Sequence, residues 1–375
     1  MKAHFFFRLL RVAIGTAQDL DGTPTAEDWQ QLYLLAERQA LTGIAFAGVQ
    51  TLKRTCPDQV KLLPQALRMK WLASAVAIHE RNELMNRRCA ELQRILTSRG
   101  VRCSIFKGQA NLPYYTRVSG TELAMLRQPG DIDVWVSGGK QKVLRLVQQL
   151  APTREVRETH AHLDLFDDVE VEAHYRPGLI RNFLTNARLQ RFFARQEAAC
   201  MEHITGIPEE AGNCRVVTPV WTFDVVHQLT HIFHHFFTEG VGLRQCLDYY
   251  YVLHSNPVGK TEEEKLRQMV SSLHMSRFAG ALMWVLAEVF GLSEDRMPWK
   301  PNEKDGAFLL QEIMQGGNFG RYDVRYNLKR MKPAESLFRI TRRNLSLLRF
   351  APFDWFWSPL WRIWHFMKRK CHGYA

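Results

Sequence analysis

The chain has no run approaching the ~20 apolar residues that a membrane helix needs, no C-x-x-C pair, and no small-residue cleavage pattern near its start. The first absence argues against a helical membrane protein. The second bears on the seven cysteines, at positions 56, 89, 103, 200, 214, 246 and 371, which form no even framework and have no metal spacing. Thiols in a reducing compartment are expected. The third is read from Phe5-Phe6-Phe7 and Leu9-Leu10, which run into charge, so no secretory signal is expected and the location reads as cytoplasmic. Acid is also scarce: 38 Asp and Glu stand against 50 Lys and Arg, a formal net charge of +12. Such a balance favours polyanionic partners (nucleotides, nucleic acid, acidic glycans or an anionic membrane surface) without choosing among them. The 375 residues, 46% apolar and 23% charged, predict two or three domains with a sizeable core.

The informative stretch runs from Lys107 to Val136. A helical pattern with Met85, Cys89, Leu92 and Leu96 on one face stops at Gly100. Val101 to Phe106 then alternates as a strand and delivers Lys107-Gly108 to its end. After the turn signal Pro129-Gly130 comes Asp131-Ile132-Asp133-Val134-Trp135-Val136. Residues two apart on a strand share a face, so Asp131 and Asp133 project together while Ile132, Val134 and Val136 enter a core. Two such carboxylates recruit a cation or shift one another's pKa, and hard divalent ions, Mg²⁺ or Mn²⁺, suit oxygen ligands. Asp131-Ile132-Asp133 alone reads more readily as a polar strand edge. Further on, Asp167-Asp168 marks a turn, and Val169 to His174 alternates with Glu170, Glu172 and His174 on one face. A carboxylate strand of that kind beside the first can complete a site for one or two Mg²⁺ ions.

Lys107-Gly108, Arg127-Gln128-Pro129-Gly130-Asp131-Ile132-Asp133 and Glu172-Ala173-His174-Tyr175 together resemble the nucleotidyltransferase superfamily with its polymerase-β-like fold, specifically a bacterial branch of largely uncharacterised nucleotidyltransferase-family proteins. The motifs cover roughly residues 95–180. The resemblance implies an α+β fold, a mixed sheet with flanking helices, with N- and C-terminal helical regions. The stretches would be 1–95, 96–214 for the catalytic core, and 215–375. It further implies Mg²⁺-dependent (or Mn²⁺-dependent) transfer of a nucleotidyl group from an NTP to an acceptor hydroxyl or similar group. Asp131 and Asp133 would hold metal, and Glu172 would be the third carboxylate, helping to deprotonate the acceptor. Glu170 lies on the same strand face, and Glu172 is preferred because it stands two before His174. Lys107 with Gly108 would meet the triphosphate, and Arg127, His174 and Arg176 would contact phosphate or acceptor. Between Gly108 and Asp131 the chain departs from the expected shorter loop, with an insertion over Thr116 to Leu126 that bears on where Arg127 points. Nucleic acid is an admissible partner but not a required one; the acceptor, the NTP and the oligomeric state stay open. The alternatives are a non-catalytic nucleotide- or polyanion-binding module of the same fold and a metal-dependent phosphodiesterase or nuclease.

The flanks read as helical. Pro24 to Ala47 carries an expected N-cap at Thr23 and an acidic first turn, Glu27 and Asp28, with Gly43 and Gly48 marking close packing or a break. Leu67 to Arg99 reads as one long helix or two, with Trp71, Ala75, Ile78, Asn82 and Met85 on one stripe. Lys140 to Leu150 reads as a helix after Gly138-Gly139. Thr159 to Asp164 pairs with the Glu172 strand as a hairpin; its His160 and His162 read as a solvent face, with reach to a metal as the sharper alternative. Residues 181–214, rich in arginine (Arg181, Arg188, Arg191, Arg195), read as an irregular bridge with a loop from Gly206 to Asn213. In Val225 to Val252, His227, His231 and His235 share a helical face, Gly240 and Gly242 break the helix, and Arg244 and Asp248 stand one turn apart on the next. His231, His235, Arg244 and Asp248 are expected to line the cleft or form a buried polar network. Zinc at these histidines would fit their spacing, but no H-E-x-x-H motif supplies further chemistry. The basic, tryptophan-rich tail, Leu337 to Lys370, reads as a closing helix packed on the domain, with contact to an anionic membrane or a polyanion as the alternative.

Overall fold

The computed structural model describes residues 2–153, 155–209, 212–256, 259–323, 325 and 348–350. Apart from residues 348–350, the basic tail lies outside the described residues. Three helices open the chain: α1 (Lys2–Ile14), α2 (Ala26–Arg38) and α3 (Thr42–Thr55). The start of α2 corrects the expected cap. Thr25, not Thr23, closes a capping box with Asp28, because the acid falls three residues after Thr25. The single helix expected over 24–47 is also broken. The backbone turns at Ala40, φ 54°, where the buried Gln39 side chain donates to Ile313 O at 3.2 Å and accepts from Leu243 N at 2.9 Å. Gly43 and Gly48 mark close packing: a Cβ on Gly43 would collide with the Leu126 carbonyl oxygen, and one on Gly48 would sit 2.5 Å from Leu9 O.

The long pattern is one helix, α4 (Gln65–Thr97), and it spans two cores. Trp71 and Ala75 belong to the helical core, whereas Met85, Cys89, Leu92 and Leu96 belong to the core beneath the sheet. Next come β1 (Cys103–Phe106), α5 (Leu112–Ser119), the single turn α6 (Thr121–Ala124), β2 (Ile132–Val136), α7 (Gly139–Leu150), β3 (His160–His162) and β4 (Val171–His174). The insertion over 116–126 is thus helical. The sheet order is β1-β2-β4-β3, with β2 and β4 parallel and both outer pairs antiparallel. One face carries Ile105, Val134, Ala161, Val171 and Ala173 into the core shared with α4 and α7. Register puts Phe106, Asp133, Glu172 and His162 on one rung of the other face, and Ser104, Trp135, His174 and His160 on the next such rung.

The described residues of 181–214 form ordered elements rather than an irregular bridge. α8 (Phe183–Cys200) starts where the Asn182 side chain accepts from Leu184 N and Thr185 N, and it buries Leu189, Phe193 and Cys200. The expected loop over 206–213 lies within a hairpin of β5 (Ile204–Glu209) and β6 (Gly212–Val217). Among the described residues five α-helices follow: α9 (Trp221–Thr238), α10 (Leu243–Ser255), α11 (Lys260–Ser272), α12 (Ser276–Phe290) and α13 (Glu303–Gly316). α9 covers the polar face of the sheet, Phe223 stacking on Trp135 at 5.3 Å and His227 against Phe106 at 5.1 Å. Residues of α1 to α3 and of α9 to α13 share one hydrophobic core. Among the described residues no helix is long and apolar enough to cross a membrane.

Candidate active site

β1 ends by turning its last residue's successor into the site. Lys107 adopts φ 58°, unusual for a residue with a Cβ, and Gly108 follows at φ 39°. The turn aims the Lys107 side chain back across the sheet, where Nζ lies 2.5 Å from Asp133 Oδ1. Asp133 is 5% exposed, and its Oδ1 is also 2.7 Å from His174 Nε2. The same nitrogen lies 3.2 Å from Glu172 Oε2, and His174 Nδ1 is 3.3 Å from the Arg176 carbonyl. Register explains the cluster, since Asp133 and Glu172 are partners across the parallel strands β2 and β4. Glu172 is the carboxylate beside Asp133; Glu170 lies before β4 and is exposed.

Electrostatics follows the packing. Burial works against charge on Lys107, but Asp133, Asp131 and Glu172 outweigh it and hold the ammonium above its ordinary value. Burial likewise opposes His174 as a cation, and its bonds to Asp133 and Glu172 reverse the sign and raise it. For Glu172, burial favours the neutral acid, yet the hydrogen bond and charge of His174 bring it below the usual carboxylate value. His160 goes the other way: burial and the neighbouring His174 push it down to about 2, so its imidazole is neutral.

Asp133, Glu172 and His174 present ligand atoms within 4.8 Å of one another. The two carboxylates of this group suit a hard divalent cation, and His174, held as a cation beside them, balances their charge together with Lys107. Asp131 is half-buried, precedes β2, and belongs to neither group of metal-competent ligand atoms among the described residues, although its charge reaches Lys107.

The other expected site residues are placed as follows. Arg127 does not face the acidic cluster. It is 3% exposed and makes a bidentate pair with Asp248, Nε to Oδ1 and Nη2 to Oδ2, each at 2.7 Å. Tyr115, on α5 just before the insertion, donates to the same Asp248 Oδ1 at 2.8 Å. Arg127, just after the insertion, thus joins a buried polar network with α10. Arg244, a turn before Asp248, donates instead to Gln128 O at 3.0 Å, and burial, aided by Arg127, pushes it down to about 10. Its Nε meets no acceptor among the described residues. Gly108 sits against the Asp131 carbonyl, with room for a Cβ at 3.5 Å but a φ that disfavours one. Arg176 is exposed. His231 lies between His227 and His235, ring centroids 5.7 and 4.3 Å away, and His235 Nδ1 is 3.5 Å from Glu239 Oε2. Burial lowers His227 and His231 well below the ordinary histidine value. His227 Nε2 is engaged by Pro177 O at 3.1 Å, and no α9 histidine enters a metal-competent group among the described residues.

Two features escaped the sequence. Asn82 donates to the carbonyls of Met125 and Arg127 at 2.7 and 2.8 Å, Gln109 donates to Asn82 and Asn86, and Asn86 donates to Pro208 O at 2.6 Å. This buried amide ladder holds the loop that leads into Asp131. The only signal for it was Asn82 on an otherwise apolar stripe. The second correction concerns His160 and His162, which face Glu172 rather than solvent.

A short mixed sheet, flanked by helices and carrying a buried aspartate against a carboxylate on the parallel neighbour strand, is a nucleotidyltransferase-type fold. The chain belongs to the family described as uncharacterised nucleotidyltransferase, which matches residues 25–291. It matches no curated protein and no solved structure.

Proposed function

We propose that the protein transfers a nucleotidyl group from an NTP to an acceptor in a Mg²⁺- or Mn²⁺-dependent reaction. The observation that carries this reading is the buried register pair Asp133 and Glu172, with Lys107 and His174 balancing its charge. Asp133 and Glu172, with Asp131 at the strand entrance, would hold the metal. When bound, the ion supplies charge neutralisation for the triphosphate and the displaced pyrophosphate. Lys107, freed from Asp133, turns to the phosphates, and the Gly108 amide sits beside it. Glu172 takes the acceptor's proton. Arg244, a buried guanidinium near Asp131 whose Nε has no acceptor among the described residues, is a further cation for phosphate beside the exposed Arg176, whereas Arg127 holds the loop through Asp248. The net charge of +12 suits a polyanionic substrate. Free thiols at Cys56, Cys89, Cys103, Cys200, Cys214 and Cys246 suit a reducing, cytoplasmic setting.

One observation favours a second reading, a nucleotide-binding module without catalysis: Lys107 and His174 already occupy Asp133 Oδ1. Incubation with each α-labelled NTP and Mg²⁺ separates the two. Transfer predicts label on the protein or an added acceptor together with released pyrophosphate, both lost in Asp133→Asn. Nucleotide bound without pyrophosphate supports the module. Label released as free monophosphate points to a phosphodiesterase instead.

A further inference from the structure

The Glu172 carboxylate has two sides. Its Oε2 faces His174 and Asp133, while its Oε1 faces a second set of donors. β3 and β4 pair antiparallel with His162 opposite Glu172 and His160 opposite His174, so both β3 imidazoles project from the face that carries Glu172. His160 Nε2 lies 3.3 Å and His162 Nε2 3.8 Å from Oε1, and the three ligand atoms lie within 4.8 Å of one another. Both nitrogens are buried, and neither has the alignment of a hydrogen bond to any described residue, despite the proximity of Oε1. His160 is only 8% exposed. Two buried imidazole nitrogens left without hydrogen bonds cost stability, and here both are aimed at a single carboxylate oxygen.

We propose that His160, His162 and Glu172 form a binding site for a borderline divalent transition ion, with Zn²⁺ the best match, separate from the Asp133–Glu172–His174 group. The donor chemistry selects the ion. Imidazole nitrogens suit zinc and its neighbours in the first transition row, whereas Mg²⁺ prefers an all-oxygen shell. Ligands at ~2.0–2.1 Å around a tetrahedral ion stand roughly 3.3 Å apart; His160 Nε2 is at that distance from Oε1, and His162 Nε2, at 3.8 Å, has to close slightly. His160 Nδ1 is 3.1 Å from Thr159 Oγ1, and in the tautomer that donates this bond Nε2 presents a lone pair. Glu155 Oε2, 3.9 Å from His162 Nε2, is near enough to serve as a fourth ligand. One carboxylate thus bridges two cation sites of different hardness. The inference does not rest on nucleotidyl transfer, and its test reads metal affinity alone.

The full-length protein, free of any histidine tag and stripped with a chelator, is titrated with Co²⁺ and followed by visible d–d absorption. The expected result is one equivalent of Co²⁺ with tetrahedral bands, displaced by Zn²⁺ and unaffected by excess Mg²⁺. His162→Ala, at the more exposed of the two histidines, and the conservative His162→Gln should each weaken binding by at least about 100-fold with unchanged circular dichroism. Asp133→Asn, which removes a ligand of the other group and none of this one, should hold affinity within about threefold. Absence of the bands in the folded wild-type protein would overturn the proposal. So would bands that survive both His162 variants, or that vanish with Asp133→Asn and not with His162→Ala.

Discussion

Arg127 and Asp248, 121 residues apart in the chain, meet as a bidentate pair with both bonds at 2.7 Å. The pair is almost wholly buried and joins the loop that precedes Asp131 to α10 of the C-terminal helices. Removing one partner strands a charge in the interior, at a cost of ~3–5 kcal/mol. Arg127→Ala and Asp248→Ala should therefore each lower the melting temperature sharply. The double replacement Arg127→Met with Asp248→Leu should cost less than the two single changes added together. Calorimetry of the three proteins checks this. An Arg127→Ala protein that melts like wild type but binds nucleotide poorly would return Arg127 to a phosphate-binding role.

A second buried acid predicts a pH dependence. Asp224, 2% exposed, accepts from the Tyr114 hydroxyl at 2.6 Å, and its other oxygen has no partner among the described residues. Burial raises it to about 8 from an ordinary 3.8, and the Tyr114 bond offsets only part of that rise. In the folded chain Asp224 then holds a proton that the unfolded chain has released. Its contribution to stability is complete below about pH 4 and is lost as pH rises through about 8. The melting temperature should fall between pH 5 and 8, and Asp224→Asn, which cannot ionise, should flatten that part of the profile. Parallel profiles for the two proteins would remove Asp224 as the cause.

Close packing behind the site gives a steric prediction. Gly43 of α3 lies against the Leu126 carbonyl, immediately before Arg127, so Gly43→Ala must move backbone. Overpacking of this kind costs ~1–3 kcal/mol. Gly316, at the end of α13 with nothing near its missing Cβ, is the control, and Gly316→Ala should be neutral or slightly stabilising. Denaturant midpoints compare the two. Equal midpoints would show that the loop yields without cost.

Local patterns made much of the fold legible. Alternation over 131–136 and 169–174 corresponds to β2 and β4, the Gly100 stop separates α4 from β1, and the H-A-H and E-A-H segments form the antiparallel pair β3–β4. These signals lie within a few residues of one another. What stayed hidden depends on distance or on masking by charge. The arginines of 181–214 obscured the inward positions Leu189 and Phe193 of α8 and the alternation of β5 and β6. The partner of Arg127 lies two helical elements beyond that hairpin, and spacing cannot report it. Strand histidines look alike whether they meet water or a carboxylate. Only the register of β3 against β4, with His162 opposite Glu172, turns His160 and His162 toward that carboxylate.

The proposed transfer depends on Glu172, paired with Asp133 across the parallel strands, and not on Glu170. Two glutamine variants test it under identical conditions, with α-labelled NTP, Mg²⁺ and pyrophosphate release as the readout. Glu170 is exposed before the strand, whereas Glu172 is the register partner of Asp133. Glu172→Gln should lower transfer by at least about 100-fold, the scale on which a lost transition-state contact acts, while Glu170→Gln stays within about twofold of wild type. Loss of transfer in Glu170→Gln with Glu172→Gln near wild type would move the third carboxylate to Glu170 and remove Glu172 from that role.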